Sequence, residues 1–173
     1  MSEKLPELID PLLLAERRSF FSGAIKIASL ERLSALLTES DSLVDIEMVF
    51  DKEGKQPVVS GSIKCTLMLA CQSCLQPLSW PIDIGFKLGI VASLAEADRL
   101  EIDCEPLLFN GEKIFLKSII EDEILLALPD YPKHGYECIA SGKSVNSNFA
   151  LQDNPAKTEN PFAVLAKLKK TGD

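Results

Sequence analysis

Cys71-Gln72-Ser73-Cys74 sets two thiols three positions apart, and His134 with Cys138 sets an imidazole and a thiol four positions apart. On the tip of a hairpin, a CxxC points both sulfurs at one spot, which is half of a tetrahedral zinc site. An H-x3-C pair has a spacing that suits the other half. The stretch between the halves is far longer than in a simple finger, so the fold has to bring them together. Cys71, Cys74, His134 and Cys138 are therefore candidate zinc ligands. The plainer alternative is four reduced, unliganded side chains on neighbouring loops. A thioredoxin-like dithiol fits less well. That motif opens a helix behind a strand, where the helix N-terminus lowers a thiol pKa, whereas Pro77 and a strand-like run follow here. Cys65 and Cys104 read as small core residues.

Catalytic constellations are otherwise missing from the sequence. One histidine, His134, leaves no triad and at most a lone base. Glu121-Asp122-Glu123 are adjacent on a helical pattern, so their carboxylates point in different directions and do not converge on one atom. They read as a solvated face offered to a partner. Glu123 falls within the apolar stripe and is the expected buried or partner-facing acid. There is no P-loop and no dinucleotide glycine fingerprint. Trp80 reads as core rather than as a stacking platform. The expectation is a protein that is not an enzyme.

The elements that must position these residues follow from periodicity. Residues 1–16, with Pro6 and Pro11, suggest an extended lead-in. Residues 18–27 suggest a first strand, and Ser29 caps a short helix with Leu30, Leu33, Leu36 and Leu37 on one stripe. Val44, Ile46, Met48 and Phe50 alternate with polar neighbours, as do Val59, Gly61, Ile63, Cys65, Leu67 and Leu69, the period of a half-buried strand. A further strand-like run over 78–91 makes a hairpin with the CxxC at its tip. Asn110-Gly111 suggests a second hairpin turn between short extended pieces. Leu116 to Leu128 is the clearest helix, ended by Pro129. The fold class expected is α+β: an antiparallel, barrel-like sheet packed with two or three helices, spanning 1–139.

Beyond it, 140–159 is rich in Ser, Asn, Gln, Asp and Lys and reads as a flexible linker. Asn160-Pro161 then restarts helix, with Asn as N-cap and Pro at the first helical position. Phe162, Leu165 and Leu168 follow at helical spacing, giving a C-terminal amphipathic helix over 160–173. It is too short to stand alone. It either docks on its own domain or waits for a partner groove.

The 173 residues carry a net charge of −8, and 46% are hydrophobic, enough for one real core. Nonspecific nucleic-acid binding is driven by Lys and Arg, so an acidic chain points instead to basic partners, of which ribosomal proteins are the most abundant. Arg17, Arg18, Lys26 and the tail lysines are the local basic patch that direct RNA binding would use. Five cysteines are an odd number. The acidic, proline-interrupted N-terminus does not read as a secretion signal, and no apolar run is long enough to cross a bilayer. The compartment expected is the cytoplasm, with reduced thiols and no membrane.

Three segments taken together resemble the YceD family of bacterial proteins. They are Cys71-Gln72-Ser73-Cys74 with Leu75 and Pro77, the run Ile120 to Pro129 with Pro132 and His134, and Asn160-Pro161-Phe162-Ala163-Val164-Leu165-Ala166. The resemblance implies a part in the synthesis, processing or stability of 23S ribosomal RNA, and hence in ribosome biogenesis. It also implies association with large-subunit ribosomal proteins; a precursor particle is the other expected partner, and contact with ribosomal RNA is left open between direct and indirect. It supplies no catalytic site.

Overall fold

The computed structural model describes residues 5–100 and 103–138. Strand β1 (Leu8–Ile9) leads into helix α1 (Pro11–Glu16), strand β2 (Phe20–Lys26), a 3-10 turn (Ile27–Ser29) and helix α2 (Glu31–Ser34). Strands β3 (Leu43–Glu53), β4 (Gln56–Ala70) and β5 (Pro77–Val91) follow. Helix α3 (Leu94–Ala97), strands β6 (Glu105–Leu108) and β7 (Ile114–Phe115) and helix α4 (Leu116–Leu126) complete the described chain.

The main sheet has the order β2-β3-β4-β5-β6. Its centre is the meander that alternation dictates. Val44, Ile46, Met48 and Phe50 are all buried, and so are Val59, Ile63, Leu67 and Leu69. The register pairs Ile46 with Ile63 and Ile63 with Ile84, so one face of three strands is continuous. Ile119, Ile120 and Ile124 of α4, with Leu30 and Leu33 around α2, join the same cluster. The periods of two and 3.6 thus supply the two layers of one core.

Five sequence expectations are corrected. The sheet is open, with β2 and β6 as its edges, and does not close into a barrel. It is also not wholly antiparallel, because β6 pairs parallel with β5. Asn110-Gly111 does not join a hairpin: β6 goes to the main sheet, while β7 pairs antiparallel with β1, Leu8 opposite Phe115. The lead-in is not wholly extended. Asp10 Oδ1 accepts the N–H of Leu13 at 3.0 Å and Pro11 opens α1. Proline costs nothing at the first helical position, where its missing N–H had no partner to lose. Ser29 does not cap α2 through its side chain; its hydroxyl donates to the carbonyl of Lys26 at 2.7 Å.

Candidate metal centre

The long hairpin β4–β5 ends with Ala70 opposite Pro77, so the six residues 71–76 form its tip. Backbone bonds fix the loop. The N–H of Cys71 donates to the carbonyl of Gln76 at 2.9 Å, and that of Leu75 to the carbonyl of Cys71 at 2.8 Å. Leu75 takes φ 60°, the left-handed region, to complete the turn. An L-residue there costs about 1–2 kcal/mol, which the surrounding loop has to offset. The second segment leaves α4 and runs past the tip. The N–H of Gln72 donates to the carbonyl of Pro132 at 2.9 Å and its side-chain amide to that of Asp130 at 3.4 Å.

This clamp converges the four side chains singled out by type and spacing. One donor atom from each of Cys71, Cys74, His134 and Cys138 lies within 4.8 Å of all the others. The sulfurs of Cys71 and Cys138 are 3.8 Å apart, and Cys74 Sγ is 3.5 Å from His134 Nδ1. Ligands at zinc bond lengths of about 2.3 Å for sulfur and 2.0–2.1 Å for nitrogen sit roughly 3.8 and 3.5 Å apart along the edges of a tetrahedron. His134 Nε2 lies 3.3 Å from the carbonyl oxygen of Pro77. A carbonyl only accepts, so Nε2 carries the proton and Nδ1 turns its lone pair to the sulfurs, the usual arrangement of a ligating histidine. Tyr136 stacks on the same ring, with centroids 4.9 Å apart.

The thiols of the cluster are shifted in opposite directions. Burial pushes the Cys71 thiol up, but the backbone N–H groups of Cys74, His134 and Ser73 outweigh it and bring the group down to about 5. Burial, then the sulfurs of Cys74 and Cys71, push Cys138 up to about 11. Crowded thiols resist shedding all their protons together unless a cation accepts the charge, and a divalent metal does so. All four tetrahedral positions would come from the protein. Such a set suits a structural ion, because a catalytic zinc keeps one position open. Cys65 and Cys104 are away from this cluster. Cys104 is buried, and burial, then the charge of Asp45, pushes the Cys65 thiol up to about 11.

The acidic triplet is divided by its surroundings. Glu121, not Glu123, is the buried acid. Its Oε2 accepts from Arg32 Nε at 2.9 Å and its Oε1 from the backbone N–H of Leu33 at 3.0 Å. Asp122 accepts from Arg32 Nη1 at 2.7 Å and is exposed, while Glu123 is half-buried. The tail residues Asn160, Pro161, Phe162, Leu165 and Leu168 lie outside the described residues. Among the described residues no helix is long and apolar enough to cross a membrane.

Fold and site together define an open-sheet α+β protein whose hairpin tip is tied to a following loop through a Cys3His cluster. The family model described as large ribosomal RNA subunit accumulation protein YceD matches residues 59–169. A protein of that name from Haemophilus influenzae (strain ATCC 51907 / DSM 11121 / KW20 / Rd) is 36% identical over 170 residues, covering 96% of this chain and 97% of its own. The chain belongs to the YceD family. No solved structure matches it.

Proposed function

We propose that the chain is a non-catalytic ribosome-assembly factor. It supports the synthesis, processing or stability of 23S ribosomal RNA in the cytoplasm, by binding a basic large-subunit protein or a precursor particle. The observation that carries this reading is end-to-end similarity to a relative named for accumulation of the large ribosomal RNA. The net charge of −8 supports a protein as the direct partner, because negative charge attracts basic proteins and repels phosphates. Zinc held by Cys71, Cys74, His134 and Cys138 has a structural role in this reading. It locks the β4–β5 tip to residues 130–138. The tail from Asn160 to Leu168 is assigned as a partner-binding helix, with Phe162, Leu165 and Leu168 as its anchors.

Direct RNA binding through Arg17, Arg18 and Lys26 is the second reading. Acids interleave with that patch: Arg18 pairs with Asp51 at 3.2 Å, and Lys52 with Glu16 at 3.4 Å. These neighbours dilute the positive charge on which phosphate binding depends.

The test is twofold. Removal of the chain from its host should lower 23S relative to 16S ribosomal RNA, and an unchanged ratio would remove the cellular role. The purified full chain, used as bait at moderate salt, should recover a large-subunit protein or precursor particle. Recovery of naked RNA, with binding that weakens steeply as salt rises, would favour the second reading.

A further inference from the structure

A groove of about 450 Å³ runs between β6 and α4. Its apolar lining includes Leu107, Leu125 and Leu126, and its charged lining is Glu105, Asp122 and Glu123. Leu126 is 74% exposed and lies at the end of α4. Asp122 shares Arg32 with Glu121. Glu105 and Glu123 have no ion-pair partner among the described residues.

The charges are placed against local preference. The last turn of α4 contains no basic residue and does contain Glu123. Helix C-termini favour cations, because the backbone carbonyls there carry partial negative charge. Burial, then the charges of Glu105 and Asp122, hold the Glu123 carboxyl above its ordinary range. A cation entering the groove would relieve all of these at once. The apolar walls require more of the ligand than charge. Metal is a poor occupant: the only cluster of donors at metal-holding distances among the described residues is the Cys/His one. Nucleic acid is repelled by the carboxylates, and so is a second copy of a chain with a net charge of −8.

We propose that the groove between β6 and α4 docks a cationic protein segment with an aliphatic face. Glu105 and Glu123 take its lysine or arginine side chains, and Leu107, Leu125 and Leu126 take its apolar ones. This deepens the reading above and rests on it, since it assigns a surface to the basic protein partner. Among the described residues β6 is also an edge strand of the main sheet. Pro106 in β6 has no N–H to offer a neighbouring strand, so side chains rather than strand addition select the ligand.

The experiment uses the purified full chain and, as probe, the proteins released from isolated large ribosomal subunits at high salt. Retained proteins are identified by mass spectrometry. The wild-type chain is expected to retain one or more basic proteins, and Glu105→Lys/Glu123→Lys to weaken retention at least about tenfold at low salt. Glu39→Lys/Glu47→Lys, which changes net charge equally at exposed positions outside the groove, should leave retention within about twofold. Leu126→Gln alters no charge and should also weaken it, which covers the case in which the double reversal fails to fold. A photo-crosslinking phenylalanine analogue at position 126 should label a Lys- or Arg-bearing segment of the retained protein. Equal retention by wild type and all groove variants would overturn the groove while leaving the protein-partner reading intact. Labelling of RNA, or of a second copy of the chain, would overturn it too. Retention of nothing by the wild type would overturn the partner reading and the groove together.

Discussion

The carboxylate of Glu121 supplies the cap that helix α2 lacks. Its Oε1 accepts the N–H of Leu33, at the third helical position, from 3.0 Å, while Oε2 accepts from Arg32 Nε at 2.9 Å. The residue at the N-cap position is Leu30, which has no side-chain acceptor. A short helix near the N-terminal end of the domain is thereby pinned to a long one near its C-terminal end.

Glu121→Ala removes the acceptor and leaves a buried N–H unsatisfied. The expected cost is about 1–3 kcal/mol, the usual penalty for orphaning a buried donor. Glu121→Gln keeps an oxygen in place and should cost clearly less. Urea denaturation of the two variants checks this. Equal losses would mean that volume or charge matters at this position and the cap does not.

The core strands and the metal-type cluster were legible in the sequence, whereas the Glu121 contact was not. Val44 to Phe50 and Val59 to Leu69 alternate so regularly that their buried face follows from the period of two. Cys71, Cys74, His134 and Cys138 stand out because thiols and imidazoles in short pairs have few other uses. Glu121 has identical neighbours in kind, and only packing of α2 against α4 decides which of three adjacent acids turns inward. The α4 stripe favoured Glu123 instead. The parallel pairing of β6 also leaves no local signal, since Asn110-Gly111 suits a hairpin that the nonlocal pairing of β7 with β1 overrides. Glu105 as a groove residue was likewise invisible, because its meaning depends on α4 lying beside it.

Metal analysis of the chain purified without added zinc should give about one equivalent of zinc per molecule. Cys71→Ser and Cys138→Ser should each abolish or sharply lower it, whereas Cys104→Ser should retain metal. Stripping the ion with a chelator should lower the melting temperature and expose the 130–138 segment to protease before the sheet. A metal content near zero, with no uptake on adding zinc, would leave the four donors as a plain thiol cluster.

The half-buried Glu123 predicts a pH effect of definite sign. Burial, then Glu105 and Asp122, raise its folded pKa above the unfolded value. Between those two values the folded chain binds more protons than the unfolded one, so the contribution of this group falls as pH rises through that window. Glu123→Gln removes the like-charge repulsion at neutral pH. The variant should melt higher than wild type at pH 7, and the gain should vanish in acid, where Glu123 is already protonated. A gain that persists at low pH would assign the effect to something other than ionisation.

Gly61 sits in the middle of β4, opposite Met48 on one side and Phe86 on the other. A Cβ added there would lie 2.4 Å from the carbonyl oxygen of Glu47 and 2.7 Å from the Phe86 ring. The ring can swing aside, but the carbonyl belongs to the backbone of β3 and cannot move without disturbing the sheet ladder. Gly61→Ala should therefore destabilise by roughly 1–3 kcal/mol, the range for overpacking a core. Gly85→Ala, whose added Cβ would be 3.7 Å from its nearest neighbour, should be tolerated. Trimming the ring tests which contact dominates. If the backbone contact limits the site, Gly61→Ala combined with Phe86→Leu should recover little of the loss in a denaturant-melt double-mutant cycle. Full recovery would show that the aromatic ring alone requires glycine at this position.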